Sequence, residues 1–324
     1  MPAYRIRLRL QGPLATPIHS GALFGHLCWA KRLHEGETAL IEWLAALPES
    51  PLLLSDALPH DQLPRPLLLP GERPESVTSE SRRDFLHRLQ QDKQLRKTAF
   101  IPVADFLELR TGLSEAGLLA RLRSAAERQT AKQPPLRRRF RPLSLTMRQA
   151  HNTIDRLTGT TPETGGLYFM DEEWRRDTAT ELDVYAAGEI SSEALQSLLS
   201  TVGEFGFGRD ASLGRGRFTA TVDPANPRLF DYDGNRILSL SHGVLTANMA
   251  APLYKLHTHY GKLGGLYAGG ERSPFKYPLL LTRPGATFSP AAAGPFGELL
   301  TGVHPHHPEI RQNAWHLGLP FTVA

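Results

Sequence analysis

The chain has 324 residues, with 37 Lys and Arg against 33 Asp and Glu and a sequence pI near 9.3. That length buries one large or two ordinary cores, and a single cysteine, Cys28, excludes an internal disulfide and any cysteine-built zinc centre. The N-terminus lacks the apolar segment of a secretory signal and no apolar run approaches the ~18 residues of a membrane span, so a soluble, cytoplasmic protein without membrane contact is expected.

Tyr4, Ile6, Leu8 and Leu10 alternate with Arg5, Arg7 and Arg9, the period-two pattern of a strand with one buried and one basic face. The basic face suits a polyanion or plain solvent equally well. Ser20 is the expected N-cap of a helix running to about His34, whose free amide groups, with His19 alongside, are placed to hold a phosphate. Cys28, between Leu27 and Trp29, reads as core rather than nucleophile. A second helical piece is expected from Glu37 to Leu47, then short strands at Leu52 to Leu54 and at Leu67 to Leu69. Charge dominates from Ser76 to Lys97, which a solvated helix explains as well as RNA does.

After a helix expected from Ser114 to Glu127 comes the most basic stretch: Lys132, Arg137, Arg138, Arg139, Arg141 and Arg148, with no acidic residue between Glu127 and Asp155. Repulsion of that kind is relieved when an anion arrives, and phosphate backbone is the natural one. Asn152, Ile154, Arg156 and Leu157 then lie on an extended excursion that returns through Gly165 and Gly166 into a strand. Aliphatic residues at such a tip either wedge against bases or tuck beneath the loop.

A strand is expected from Thr180 to Ala186, a helix from Ser191, and another strand from Phe218 to Val222. Between the last two lies a run with five glycines, Gly203, Gly206, Gly208, Gly214 and Gly216, interspersed with Arg209, Ser212, Arg215 and Arg217. Glycine allows positive φ and close backbone approach, and the arginines add charge, so the run reads as a phosphate cradle or as a connector that turns tightly. The order helix, glycines, strand, without Gly-Lys-Ser/Thr or a dinucleotide fingerprint, argues against a nucleotide-cofactor loop, and no cofactor is expected. The strand and helix pattern points to an α+β protein of two related units, residues 1–175 and 176–324. His257 and His259 alternate on a strand and His304, His306 and His307 flank prolines. No carboxylate or cysteine spacing matches them, so no metal site is expected. The nearest acidic residue in sequence to His19 is Glu35, which leaves His19 a lone imidazole and no catalytic residue is assigned.

The segments His19 to Ala30, Asn152 to Gly159, Gly206 to Phe218 and Tyr254 to Leu281 resemble, in order and spacing, the fourth Csm subunit of type III-A CRISPR interference complexes, within the RAMP superfamily. The resemblance implies two facing ferredoxin-like, RRM-type units, a β-hairpin thumb at Asn152 to Gly159, and a glycine-rich loop against the RNA backbone. It implies a non-catalytic subunit in antiviral defence that holds the 5′ tag of the guide RNA (crRNA), meets target RNA, and docks a large polymerase-like subunit and backbone RAMP subunits. The RNA-binding residues it implies are His19, Ser20, Arg137, Arg138, Arg139, Asn152, Ile154, Arg156, Gly206, Gly208, Arg209, Ser212, Gly214, Arg215, Gly216 and Arg217. Family subunits that cut target RNA carry an aspartate before the first helix; His19-Ser20-Gly21 stands there instead. Two alternatives stay open: a RAMP endoribonuclease that processes guide precursor with His19 as general base, and a basic protein–protein adaptor.

Overall fold

The computed structural model describes residues 1–70, 82–132, 144–176, 179–268 and 273–324. The alternating N-terminus forms β1 (Ala3–Leu10), with Ile6, Leu8 and Leu10 buried as the period requires. Both expected helical pieces belong to α1 (Ser20–Ala46), bent where Gly36 adopts φ 89°. Its N-cap is His19, without a side-chain cap bond, and Ser20 is the first helical residue rather than the cap.

The leucine-rich segment supplies β2 (Leu53–Leu54), β3 (Leu58–Pro59) and β4 (Gln62–Pro64). Leu67, Leu68 and Leu69 form no strand; the Leu67 N–H donates to the Gly285 carbonyl outside any ladder. Next come α2 (Arg82–Leu95), β5 (Phe100–Pro102), α3 (Val103–Leu109) and α4 (Glu115–Lys132). Arg123 of α4 meets Asp92 of α2 at 2.6 Å, so part of the charge expected on a solvated helix is answered within the protein. Then follow β6 (Ser144–Asn152), β7 (Leu167–Arg175), β8 (Glu181–Ala187), α5 (Ser192–Phe205) and β9 (Phe218–Pro224). The Ser191 hydroxyl accepts from the Ala194 N–H and caps α5. The remainder forms α6 (Pro227–Phe230) and short strands, among them β10 (Arg236–Ser239), β11 (Met249–Leu253), β12 (Leu256–His259), β13 (Leu279–Thr282) and β14 (Thr287–Pro290). Three more, β15 (Leu299–Leu300), β16 (Gln312–Asn313) and β17 (Gly318–Phe321), close the chain.

Antiparallel pairing orders the first sheet β2-β8-β1-β9, with β3 also against β8. Strands from both sides of residue 175 therefore share one sheet: β1 lies between β8 and β9. The apolar stripes of α1 and α5 pack on it through Leu23, Phe24, Leu27, Leu195, Leu199 and Val202 against Ile6, Leu8, Leu182 and Val184. β8 is buried on both faces. Tyr185 and Ala187, pointing away from the helices, enter a second core with Phe106, Leu118, Leu238, Leu319 and Phe321. There the second sheet, ordered β11-β14-β10-β17, contributes β10 and β17.

The arginine face of β1 is not simply open to a polyanion. The Arg5 guanidinium lies 2.7 Å from the fully buried Asp183 and 2.6 Å from Asp61, because a carboxylate withdrawn from water needs a charged donor. Arg9 stays exposed. Among the described residues no helix is long and apolar enough to cross a membrane.

Candidate nucleic-acid interface

Three features gather at one end of the first sheet: the glycine-rich loop, the segment between β1 and α1, and the base of the β6–β7 hairpin. The loop is folded onto its own neighbours. Phe207 is fully buried in the first core, its N–H donates to the Gly216 carbonyl at 2.9 Å, and the Gly216 N–H donates to Pro13 at 2.9 Å. Burial lowers His26 to about 4, which leaves its Nε2 free to accept from the Gly208 N–H at 3.1 Å. A Cβ on Gly206 would meet the Arg215 carbonyl at 2.5 Å, one on Gly208 would meet Thr16 at 2.7 Å, and one on Gly216 would meet Phe207 backbone. Those three glycines are required by the protein's own packing. Gly214 differs: its φ is +83° and a Cβ there would point into open space.

The arginines divide in the same way. The Arg215 Nε donates to Glu172 Oε1 at 2.6 Å, and the Glu172 side chain is 1 % exposed with no partner for Oε2 among the described residues. Arg215 therefore ties the loop to β7 instead of standing free for a phosphate. Arg209 is exposed, and its Nη2 donates to the Asp171 carbonyl at 3.2 Å. Arg217 and Ser212 are exposed, and Arg217 has no side-chain partner among the described residues.

The hairpin is pinned at its base by paired backbone bonds between Leu14 and Glu173. Along it, cross-strand pairs set Leu145 against Trp174 and His151 against Tyr168, whose rings stack at 5.3 Å. At the tip, Asp155 Oδ1 accepts from the Leu157 N–H at 2.7 Å and its carbonyl accepts from Gly159, a turn that holds the intervening residues outward. Ile154 is 62 % and Leu157 97 % exposed, so neither tucks beneath the loop. Arg156 is exposed; Asn152 is exposed and donates to Thr161 Oγ1 at 2.7 Å. Arg137, Arg138 and Arg139 lie outside the described residues.

His19 and Ser20 occupy a different setting from the one expected. Ser20 is fully buried: its N–H donates to Asp56 Oδ1 at 3.0 Å and its hydroxyl to the His242 carbonyl at 3.3 Å, so it supports the helix start from within. His19 is not a lone imidazole. Asp56 Oδ2 lies 3.0 Å from His19 Nδ1 and 2.6 Å from His242 Nδ1, while Oδ1 also accepts from the His242 N–H at 3.1 Å. The His257 ring stands 4.9 Å from His242 and 5.6 Å from His19, with His259 6.4 Å from His19. Burial alone would raise the Asp56 carboxyl, but hydrogen bonds and charge from His19 and His242 outweigh it and hold the group well below the usual carboxylate range. Chain spacing hid this cluster, although one signal was present: Ser55-Asp56 is a polar pair bracketed by Leu52 to Leu54 and Leu58. Cys28 takes no part; burial raises its thiol to about 12, too high for a thiolate nucleophile.

No protein-family model matches the sequence and no curated protein matches it. Solved structures do. A crystal structure of a Csm1–Csm4 cassette in complex with pppApA contains a chain 16% identical to this one, with 100% of this chain and 99% of that chain covered and a TM-score of 0.59. A Csm1–Csm4 cassette in complex with cA4 matches at 16% identity, the same coverage and a TM-score of 0.58. The Csm3–Csm4 subcomplex of the type III-A CRISPR-Cas interference complex matches at 13% identity, with 99% of each chain covered and a TM-score of 0.58. The chain therefore has the fold of those chains over its whole length, a fold of mixed helix and strand.

Two stability measurements check this geometry. Arg215→Ala strands a buried carboxylate and is expected to cost about 3–5 kcal/mol in urea unfolding, whereas Arg217→Ala costs within about 0.5 kcal/mol. Equal effects would mean that Arg215 does not hold Glu172. Because the folded protein binds the Asp56 proton less readily than the unfolded chain does, the contribution of this group is full above the unfolded value of ~3.9 and declines as pH falls below it. The stability gap between wild type and Asp56→Asn is thus expected to hold at pH 5 and to shrink below pH 4, by at most about 1.4 kcal/mol per pH unit. A gap that stays constant down to pH 3 contradicts it.

Proposed function

We propose that this chain is the non-catalytic, guide-capping subunit of a type III CRISPR effector complex, holding the 5′ tag of the guide RNA between the glycine-rich loop and the β6–β7 hairpin. The observation that carries the proposal is the convergence at one end of the sheet of an open backbone at Gly214, exposed Arg209 and Arg217, and a hairpin displaying Arg156, Ile154 and Leu157. Exposed cations beside a close-approach glycine suit a phosphate backbone, and apolar side chains at a tip suit a base step. The likeness in fold to chains of Csm1–Csm4 and Csm3–Csm4 assemblies supports the same reading.

On this view the strands and helices β1-α1-β2 and β8-α5-β9, in sheet order β2-β8-β1-β9, make one ferredoxin-like unit. The second sheet belongs to the other unit, and the two are interleaved in sequence rather than parted by one cut near residue 175. The β6–β7 hairpin is the thumb, reaching the guide–target duplex. Its exposed Leu145, Phe169 and Trp174 also suit contact with a neighbouring backbone RAMP subunit, and the remaining surface docks a large polymerase-like subunit. His19 takes a supporting place near the tag.

A second reading is favoured by one observation, the His19–Asp56 pair, since an imidazole oriented by a carboxylate is a general base. Incubating the purified protein with repeat RNA and target RNA separates the two: the proposal expects no product, and cleavage that disappears in His19→Ala favours the ribonuclease.

Copurification with sequencing of bound RNA is expected to recover tagged guides. Arg217→Ala is expected to weaken tag binding and reduce its salt slope by about 0.7, the increment for one phosphate contact on a single strand, and Gly214→Val to weaken it through lost approach. Unchanged binding in both variants removes the loop from the site, and failure to bind RNA at all favours a protein adaptor. Ile154→Ala with Leu157→Ala is expected to leave tag binding intact while altering the reactivity of the adjacent base to chemical probes; an identical reactivity pattern rules out a wedge.

A further inference from the structure

Two clusters among the described residues bring three potential metal-ligand atoms within 4.8 Å of one another: His60 with Asp61 and Asp183, and His19 with Asp56 and His242. The first is already occupied by a cation. The Arg5 guanidinium sits 2.6 Å from Asp61, 2.7 Å from Asp183 and 3.2 Å from His60 Nδ1, which is the place an ion would take. In the second, none of the Asp56 hydrogen-bond partners is a lysine or an arginine. Two backbone N–H groups engage Oδ1 and two imidazole Nδ1 atoms engage Oδ2.

The donors come from three separate elements: His19 from the N-cap of α1, Asp56 from the link between β2 and β3, and His242 from the turn after β10. The carboxylate is fixed by the Ser20 and His242 backbone, the outer support that orients a ligand before an ion arrives. Both imidazoles aim Nδ1 at the same oxygen, and their ring planes cross at 79°, an arrangement of ligands around a centre rather than a stack. Bonds of ~2.0–2.1 Å to a tetrahedral ion put ligand atoms about 3.3 Å apart and imidazole centres about 5 Å apart. The two nitrogen–oxygen pairs stand 2.6 and 3.0 Å apart and the His19 and His242 rings 4.4 Å apart, so each donor has only to withdraw by a fraction of an ångström to admit an ion; the His257 ring lies further out, 4.9 and 5.6 Å from the other two. Arg283 and Lys276 face His257 and His259 respectively. Lys276 donates to Gln312 at 2.8 Å.

We propose that His19, Asp56 and His242, with a water in the fourth position, form a site for one borderline divalent transition ion, of which Zn²⁺ is the type. Imidazole nitrogen with one carboxylate oxygen is a donor set that suits such an ion, and tetrahedral coordination asks for four. The ion would clamp the start of α1 to the second sheet, and the proposal does not depend on what RNA the protein binds.

The test uses the intact protein, stripped with chelator and titrated with Co²⁺. One equivalent is expected to bind with the visible absorption of tetrahedral Co²⁺ and to be displaced by Zn²⁺, which raises the melting temperature of the wild type. His19→Gln and His242→Gln are each expected to weaken Co²⁺ binding by at least about 10–100-fold, and His60→Ala to leave it unchanged. Absence of stoichiometric Co²⁺ binding in the wild type overturns the proposal without recourse to any variant. So does loss of binding in His60→Ala with retention in His19→Gln.

Discussion

A buried carboxylate must be surrounded by donors, and Asp56 is where this protein meets that constraint. Four donors converge on it, two from backbone and two from imidazoles, and they belong to parts of the chain as distant as residues 19 and 242. Because α1 packs in the first core and β10 in the second, this one side chain fixes how the first helix begins relative to the second sheet. It also fixes His19, which holds the N-cap position without capping through its side chain. The depressed carboxyl follows from the same arrangement: desolvation opposes the charge, and the gathered imidazoles more than restore it.

A second buried acid works in parallel at the base of the β6–β7 hairpin. Glu172, in β7, is reached by Arg215 of the glycine-rich loop, and the neighbouring Arg209 donates to the Asp171 carbonyl. The pair couples a loop whose backbone is constrained by Phe207, Thr16 and Pro13 to a hairpin that otherwise projects into solvent. A hairpin of two strands is marginal on its own, so its direction depends on these contacts at its base. Division of labour among similar residues follows: Gly206, Gly208 and Gly216 serve packing and Gly214 is open, while Arg215 is held inside and Arg217 is left outside.

The surface that remains has the chemistry of a nucleic-acid contact. Its cations sit on the glycine-rich loop and its apolar groups at a tip shaped by the Asp155 turn, an arrangement that, under the proposed function, would set phosphate contacts at one place and a base-step contact at another. The His19 cluster lies apart from this division, since its polar atoms are mostly directed at one another.

Much of this could be read directly from the chain. Alternation in residues 4–10 predicts β1 and its buried face, the helical stretch expected from Ser191 meets the start of α5, and five glycines among arginines mark the loop, because all three signals are local and depend on side chains a few residues apart. Which arginine stays free was not legible: Arg215 and Arg217 differ only by the strand that comes to lie beside them, and Glu172 is 43 positions away from Arg215. Nor was Asp56, whose partners are separated from it by 37 and 186 residues. Sequence pattern determined the elements and the basic loop, since helix and strand periods are written in neighbouring residues. Tertiary structure decided which charges are paired and which imidazoles meet, since burial is a property of the folded chain and a carboxylate acquires its donors only where the fold removes it from water.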